Sequence, residues 1–368
     1  VTALITANFL FIMVTPKFPA GKPSFNAILK QRVNQYFEET GKSFTGDFRL
    51  FSKAMILVAL FIGLYVHLVF FTPAWYWGVL ECTLMGLVIS AIGFNIMHDG
   101  SHGSFSKYPW MNTIAAFSLN VLGGNAFMWN NKHCIIHHAY TNVHDVDDDL
   151  DAGIFLRLSK HQKKYKLHSV QHYYFWLLYM QLYLFWILFT DYKKYFTGKI
   201  GDIPLKKMKL ADHLLFWKFK ALFMVIFVVL PIVYVGWLPW LVGFLVMTQI
   251  GGFVLSIVFQ LAHTVEDTHF PLPNSVNGKM EDEWAVHQLK TTANFATGNK
   301  FVCWFVGGLN FQVEHHLFPK ISHIHYPAIS KIIKQACAEY GVTYIEYPKV
   351  YQAVYSHVSH LKKMGQLA

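Results

Sequence analysis

The chain has 368 residues, a mean hydropathy of +0.31, 54% hydrophobic residues and 14% charged ones, against roughly 25% charged in soluble domains, which points to a membrane protein and away from a soluble one. Its formal charge of +10 does not signal a nucleic-acid partner, because Lys and Arg flank the apolar runs and read there as membrane-surface charge. The four cysteines, Cys82, Cys134, Cys303 and Cys337, form no CxxC pair, which excludes a disulfide framework and a cysteine zinc site and fits a reducing, cytosol-facing chemistry.

In chain order, residues 1–52 read as a cytosolic segment. Its apolar start, Leu4 to Val14, has no basic residue ahead of it, so no cleavable signal peptide is expected, and the chain opens on Val1 rather than Met. Four stretches are apolar and close to the ~20 residues that cross a bilayer: Lys53 to Thr72, Gly78 to Met97, Leu214 to Val235 and Trp240 to Ala262. The connectors Pro73 to Trp77 and Gly236 to Pro239 are short and carry no Lys or Arg, so the stretches pair as two hairpins. By the positive-inside rule both termini and the long middle region are cytosolic. Thr113 to Trp129, broken by Gly123 and Gly124, and the aromatic-rich Tyr173 to Thr190 read as interfacial or re-entrant. If the latter crossed, the histidine groups before and after it would face opposite sides. The expected fold is all-α and integral to the membrane. Four transmembrane helices in two hairpins lie in one domain over 53–335, beneath a cytosolic helical cap, and a cytosolic segment 336–368 comes after it.

Histidine is over-used, 20 in 368 residues, and falls in groups. His98 and His102 stand where the second stretch leaves the membrane, one helical turn apart and able to bite one metal. In the second group, His133 and His137 share a helical face, whereas His138 diverges from His137 by about 100°, so the double histidine can serve two metals. The third group repeats this with His315 and His316, and Gln312 lies one turn before them. His263 sits at the end of the fourth stretch, where an ionisable group is costly and functional. These are eight imidazoles in all. A zinc site takes four ligands, so eight imply two metals, and iron is favoured because the chemistry requires a redox change that zinc cannot make. The acidic stretch after the second group, within TNVHDVDDDLD, reads either as a solvated loop or as outer hydrogen-bond partners of the imidazoles, with Asn142 and Asp145 foremost. His144, His161, His168, His172, His213, His269, His287, His323 and His325 are not expected as ligands, His287 being the one to recheck.

HDGSH, HCIIHH and QVEHH resemble the three histidine boxes of the membrane fatty acid desaturase family, over about residues 50–335. The resemblance implies iron at His98, His102, His133, His137, His138, His315 and His316, with Gln312 replacing a histidine of the general pattern, as in front-end desaturases, which act between an existing double bond and the carboxyl end. QLAHTVED, WAVHQLKTTANF and QVEHHLFPKISHIHYPAI are similar to bacterial acyl-CoA desaturases related to linoleoyl-CoA desaturases. Animal stearoyl-CoA desaturases carry an Asn four residues before the equivalent of His263, where this chain has Phe259, with Gln260 one residue later. The same resemblance implies a di-iron site in the cap, two iron ions as cofactor, O2 as co-substrate, and a fatty acyl-CoA or membrane-lipid substrate. It also implies a bacterial inner-membrane location. No HPGG haem motif of a fused cytochrome b5 domain occurs in these residues, so a separate donor of ferredoxin or cytochrome b5 type with its reductase is expected. The competing readings are a di-iron hydroxylase or sphingolipid or sterol oxidase, and, from another class, a metal transporter or receptor.

Overall fold

The computed structural model describes residues 16–20 and 24–367, so Leu4 to Val14 lie outside the described residues. The helices are α1 (Phe25–Thr40), α2 (Phe48–Phe71), α3 (Trp75–His102), α4 (Pro109–Val121) and α5 (Ala126–Trp129), which runs on as a π-helix over Asn130–His137. Then come α6 (Lys166–Thr197), α7 (Leu210–Val235), α8 (Trp237–His263), α9 (Trp284–Thr291), α10 (Lys300–Phe305), α11 (Gln312–Leu317), α12 (Tyr326–Tyr340) and α13 (Val350–Gln366).

Of these, α2, α3, α6, α7 and α8 are long and apolar enough to cross a membrane. Apart from Thr72, which follows α2, the four stretches expected from the sequence lie within α2, α3, α7 and α8, and the helices break inside both expected connectors, whose later residues open α3 and α8. Pro73 stands in the first break and Gly236, at φ 95°, in the second, a conformation open to glycine. Large apolar side chains on the outer faces stay exposed, among them Met55, Ile56 and Ile62 of α2 and Val229 and Val233 of α7. In water such surface costs about 25 cal/mol per Å2; against lipid tails it costs nothing. Inward, α3 and α8 touch backbone to backbone: a Cβ on Gly86 would stand 2.6 Å from the Met247 carbonyl. Met85, Ile89, Ile92, Tyr183, Phe223 and Met247 fill the space between the helices.

The stretch Tyr173 to Thr190 lies inside α6, which length and composition admit as a fifth span. Its middle runs antiparallel to α8, Tyr179 meeting Ser256 and Tyr183 meeting Gly251. Its start is held by the cap, where Gln171 donates to the carbonyls of Arg157 (2.9 Å) and Leu361 (2.7 Å). Just beyond its end, a Cβ on Gly201 would lie 3.5 Å from the Asp148 carboxylate. The start of α6 is thus packed on the cap, and the chain just beyond its end comes back to the acidic loop that follows the second histidine group.

The cap has its own core. Phe25, Leu29, Val33 and Phe37, spaced at one helical turn along α1, pack with Leu289, Val313, Ile329 and Ile333. Two short strands, β1 (Lys199–Ile200) and β2 (Ile203–Pro204), form an antiparallel ribbon; β3 (Asn294–Phe295) pairs in parallel with β4 (Glu346–Tyr347). α13 lies against α6 and the end of α8, His357 meeting the Tyr179 hydroxyl at 2.8 Å and donating from Nδ1 to the Thr264 carbonyl at 2.7 Å. α1 and α13 are thus built into the cap.

Candidate metal centre

α3 does not stop at the apolar boundary. It passes through a π-turn, Gly93–Met97, and continues as His98–His102, so both rings of the first group project from one rigid element, their centroids 4.7 Å apart. Gly100 lets this segment lie against α4, since a Cβ there would stand 2.6 Å from the Ala115 Cβ and from the Ala116 nitrogen. The second group rides on the π-helix Asn130–His137, where bonding from i to i+5 widens the turn. His133 and His138, five apart, consequently meet, Nε2 to Nε2 at 3.3 Å. The third group is α11, and His263 is the last residue of α8.

Together these elements gather all eight expected imidazoles, every one buried except the half-buried His102. They sort into two nests whose ligand atoms lie within 4.8 Å of one another: His98, His102, His133 and His315 in one, His137, His263 and His316 in the other. His138 stands between, in reach of His315 and His316. His133 and His137 keep the shared face expected of them, their rings stacked with centroids 5.0 Å apart, yet they belong to different nests. His133, His137 and Asp149 also form a cluster, but Asp149 approaches both rings from their Nδ1 sides, at 3.8 and 3.5 Å. It orients the rings from behind.

The outer partners fix the tautomers. His137 donates from Nδ1 to Asp147 (2.9 Å), His316 to Gln288 Oε1 (2.9 Å) and His263 to the Thr291 carbonyl (3.3 Å). His315 Nδ1 meets the Tyr326 hydroxyl at 3.1 Å. With Nδ1 occupied, Nε2 keeps its lone pair for the centre of the nest. His137 Nε2, His315 Nε2 and His138 Nδ1 are buried with no hydrogen-bond partner, which in a closed interior is costly unless something else takes the lone pair. Burial, with neighbouring imidazoles adding to it, holds the pKa values of His138, His315 and His316 well below the ordinary imidazole value, and burial brings His133 down to about 4. These rings are neutral, as metal ligands must be. His137 is the exception: burial works against its charged form, but the carboxylates of Asp147 and Asp149 prevail and raise its pKa.

Gln312 enters the second nest, its amide nitrogen 3.0 Å from His263 Nε2 and 3.2 Å from His316 Nε2. Phe259 closes the same nest, packed on the rings of His137 and His263. Gln260 is turned away, its oxygen accepting from the Thr264 hydroxyl at 2.7 Å, so neither residue supplies an amide where stearoyl-CoA desaturases have one. Asn142 does support the centre: its side chain donates to the His263 carbonyl at 2.8 Å and its backbone N–H to Asp147 at 2.9 Å. The expectation for Asp145 is corrected. Its carboxylate points to solvent, 73% exposed, and pairs only with His144, because positive φ at Asn142 and Asp145 turns the chain so that Asp147 reaches back instead. Gln288, Thr141 and Tyr326 were not singled out from the sequence. Thr141 stands one turn after His137, and Gln288 directly follows His287, whose Nε2 merely caps the Thr141 carbonyl.

The fatty acid desaturase family model matches residues 74–348. The sn-1 linoleoyl-lipid 6-desaturase of Arthrospira platensis is 33% identical over 354 residues, covering 95% of either chain. The enzyme of the same description from Synechocystis sp. is 35% identical over 351 residues, 94% of this chain and 96% of its own. An acyl-lipid (8-3)-desaturase of Physcomitrium patens is 34% identical over 351 residues, 94% of this chain and 72% of its own.

Proposed function

The chain belongs to the fatty acid desaturase family, and from that premise we propose a front-end desaturase that puts a cis double bond into an acyl chain of a membrane lipid, using O2 and two electrons. The observation that carries this reading is the pair of imidazole nests with buried, unpartnered ring nitrogens facing inward. Two iron ions fit this all-imidazole donor set, His98, His102, His133 and His315 holding one, His137, His263 and His316 the other, and His138 lying between. The chemistry supplied by bound iron is the O2-driven removal of two hydrogens from unactivated CH2 groups, which no side-chain acid or base provides.

The chain's own residues do the rest. Asp147, Gln288, Thr291 and Tyr326 hold the rings by Nδ1, and Asn142 anchors His263 and Asp147 together. Gln312 brings a neutral amide to the second nest, a poor iron ligand beside imidazole, and serves position more than retention. Which carbon reacts depends on how the acyl chain is oriented against these rings. Relatives named for acyl-lipid substrates favour a lipid-linked chain over an acyl-CoA.

In the membrane, α2 with α3 and α7 with α8 cross as two hairpins. α6 lies at the interface, supported by the packing of its start on the cap and the return of the chain just beyond its end to the acidic loop. The catalytic domain runs over 53–335, flanked by 1–52 and 336–368, and the centre faces the cytosol, where Lys and Arg concentrate, in a bacterial inner membrane. Electrons come from a donor of ferredoxin or cytochrome b5 type with its reductase. Expression in a host of known lipid composition, with location of double bonds in new fatty acids, tests the proposal. A new bond on the carboxyl side of an existing one supports it; a hydroxylated product, or a bond on the methyl side, overturns it.

A further inference from the structure

Behind the first box lies a buried polar chain that the metal nests do not use. Lys53, in the first turns of α2, is almost wholly buried, and its ammonium donates to Asn95 Oδ1 at 2.6 Å, to His323 Nε2 at 3.0 Å and to the Trp304 carbonyl at 3.3 Å. An ammonium has no lone pair, so His323 Nε2 accepts and the ring carries its proton on Nδ1. That Nδ1 donates to Asp99 Oδ2 at 3.0 Å, and the Ser322 hydroxyl donates to the same oxygen at 2.8 Å. Asn95 sits inside the π-turn Gly93–Met97 and donates to the carbonyls of Ala91 and Phe305, both at 2.9 Å. A buried cation on α2 and a buried anion on the first-box helix are thus joined through one imidazole, and a π-turn is clamped between them.

Asp99 directly follows His98, so on the helix it points about 100° away from that ring. Whatever holds Asp99 sets the rotation of His98 and His102 about the helix axis. We propose that Lys53, Asn95 and His323 are positioning residues that, through Asp99, fix the rotational setting of the first histidine box against the third-box segment. The proposal rests on the reading that His98 and His102 hold iron. His323 is then neither a ligand nor a surface histidine, but the link between the two ends of the centre.

The test uses purified, iron-loaded enzyme carrying His323→Leu, His323→Asn or Lys53→Met, with His102→Ala as control. Iron per chain, the Mössbauer spectrum, kcat and KM for the lipid substrate, and peroxide released per electron consumed are measured together. His323→Leu and Lys53→Met keep KM, lower kcat by about 10- to 100-fold, the cost of misplacing a reacting group by about an ångström, release more peroxide, and alter the spectrum of one of the two irons. His323→Asn, whose amide N–H replaces Nδ1–H toward Asp99, recovers most of the coupling. Wild-type kcat and spectrum in His323→Leu overturn the proposal, as does equal loss of folded protein in all three variants, which would reduce the network to packing. If His102→Ala keeps its full iron, the ligand reading itself fails, whatever the His323 variants do.

Discussion

Asp147 and Asp145, two residues apart, separate the structural account of the acidic loop from the sequence-based one. Asp147 Oδ2 accepts from two buried donors, His137 Nδ1 and the Asn142 N–H, each at 2.9 Å. In Asp147→Ala both lose their partner. An unmet buried donor costs about 1–3 kcal/mol, and Asp149, 3.5 Å from the same ring nitrogen, recovers part of the loss at His137 but none at Asn142. Losing the outer partner of a ligating histidine lowers metal affinity about 10- to 100-fold, or about 1.4 to 2.8 kcal/mol. Chelator competition on the purified variant should therefore show iron held 10- to 100-fold more weakly, with turnover falling in step. Asp145→Ala, which removes an exposed carboxylate, should bind iron as the wild type does. Equal affinity in Asp147→Ala and wild type, or equal loss in the two variants, would refute the assignment of Asp147 to His137.

Replacing His102, His137 or His315 by Ala should abolish desaturation and lower iron content, while His161→Ala, whose ring meets the Phe270 carbonyl and the His144 ring away from the nests, should change neither. Gln312→Ala should keep most of its iron and lose most of its activity, and Gln312→His should keep iron with some turnover; iron loss as complete as in His315→Ala would make the amide a true ligand. Asp147 and Asp149, on the Nδ1 side of His137, stabilise its doubly protonated ring against the effect of burial, and iron must displace the second proton, on Nε2. Affinity should accordingly be full above that raised pKa and fall about tenfold per pH unit below it, whereas His138, His315 and His316 are already neutral there. Iron-binding isotherms from about pH 5 to 8 read this, and Asp147→Asn should move the falling limb to lower pH. Gly100→Ala should cost about 1–3 kcal/mol by overpacking, because the new methyl meets the α4 backbone, and thermal unfolding measures it.

What the sequence shows of this protein is what depends on neighbours along the chain. A run of apolar residues bounded by Pro73 or Gly236 needs no distant partner to declare itself, and the helices break there. The box histidines are equally local, and His263 shows by its depth in an apolar run. α6 is harder, because a helix rich in Tyr and Trp satisfies both a span and an interfacial segment. The choice turns on where its ends go, and contacts such as Gln171 with Leu361 are remote in sequence.

The grouping of the candidate ligands is hidden for a different reason. Spacing rules assume the α-helix, and under them His133 pairs with His137. The chain instead adopts a π-helix over Asn130–His137, a wider turn that no residue in the segment dictates and that tertiary contacts must pay for. One such contact is Lys132, which bridges Asp148 and Asp149 at 3.2 and 2.8 Å and so draws the acidic loop under the rings of His133 and His137. The wider turn brings His133 to His138, while His137, still stacked on His133, reaches His263 and His316. A π-turn recurs just ahead of His98, again at the threshold of a box. Widened turns of this kind occur preferentially at functional sites, and these two lie at boxes, whereas the π-turns His67–Phe71, Trp186–Thr190 and Val225–Val229 do not. The three motifs together with His263 supply the eight candidate rings, and the non-α backbone beneath two of the motifs, contacted by Lys132 in one case and by Asn95 in the other, helps set how those rings divide between two nests.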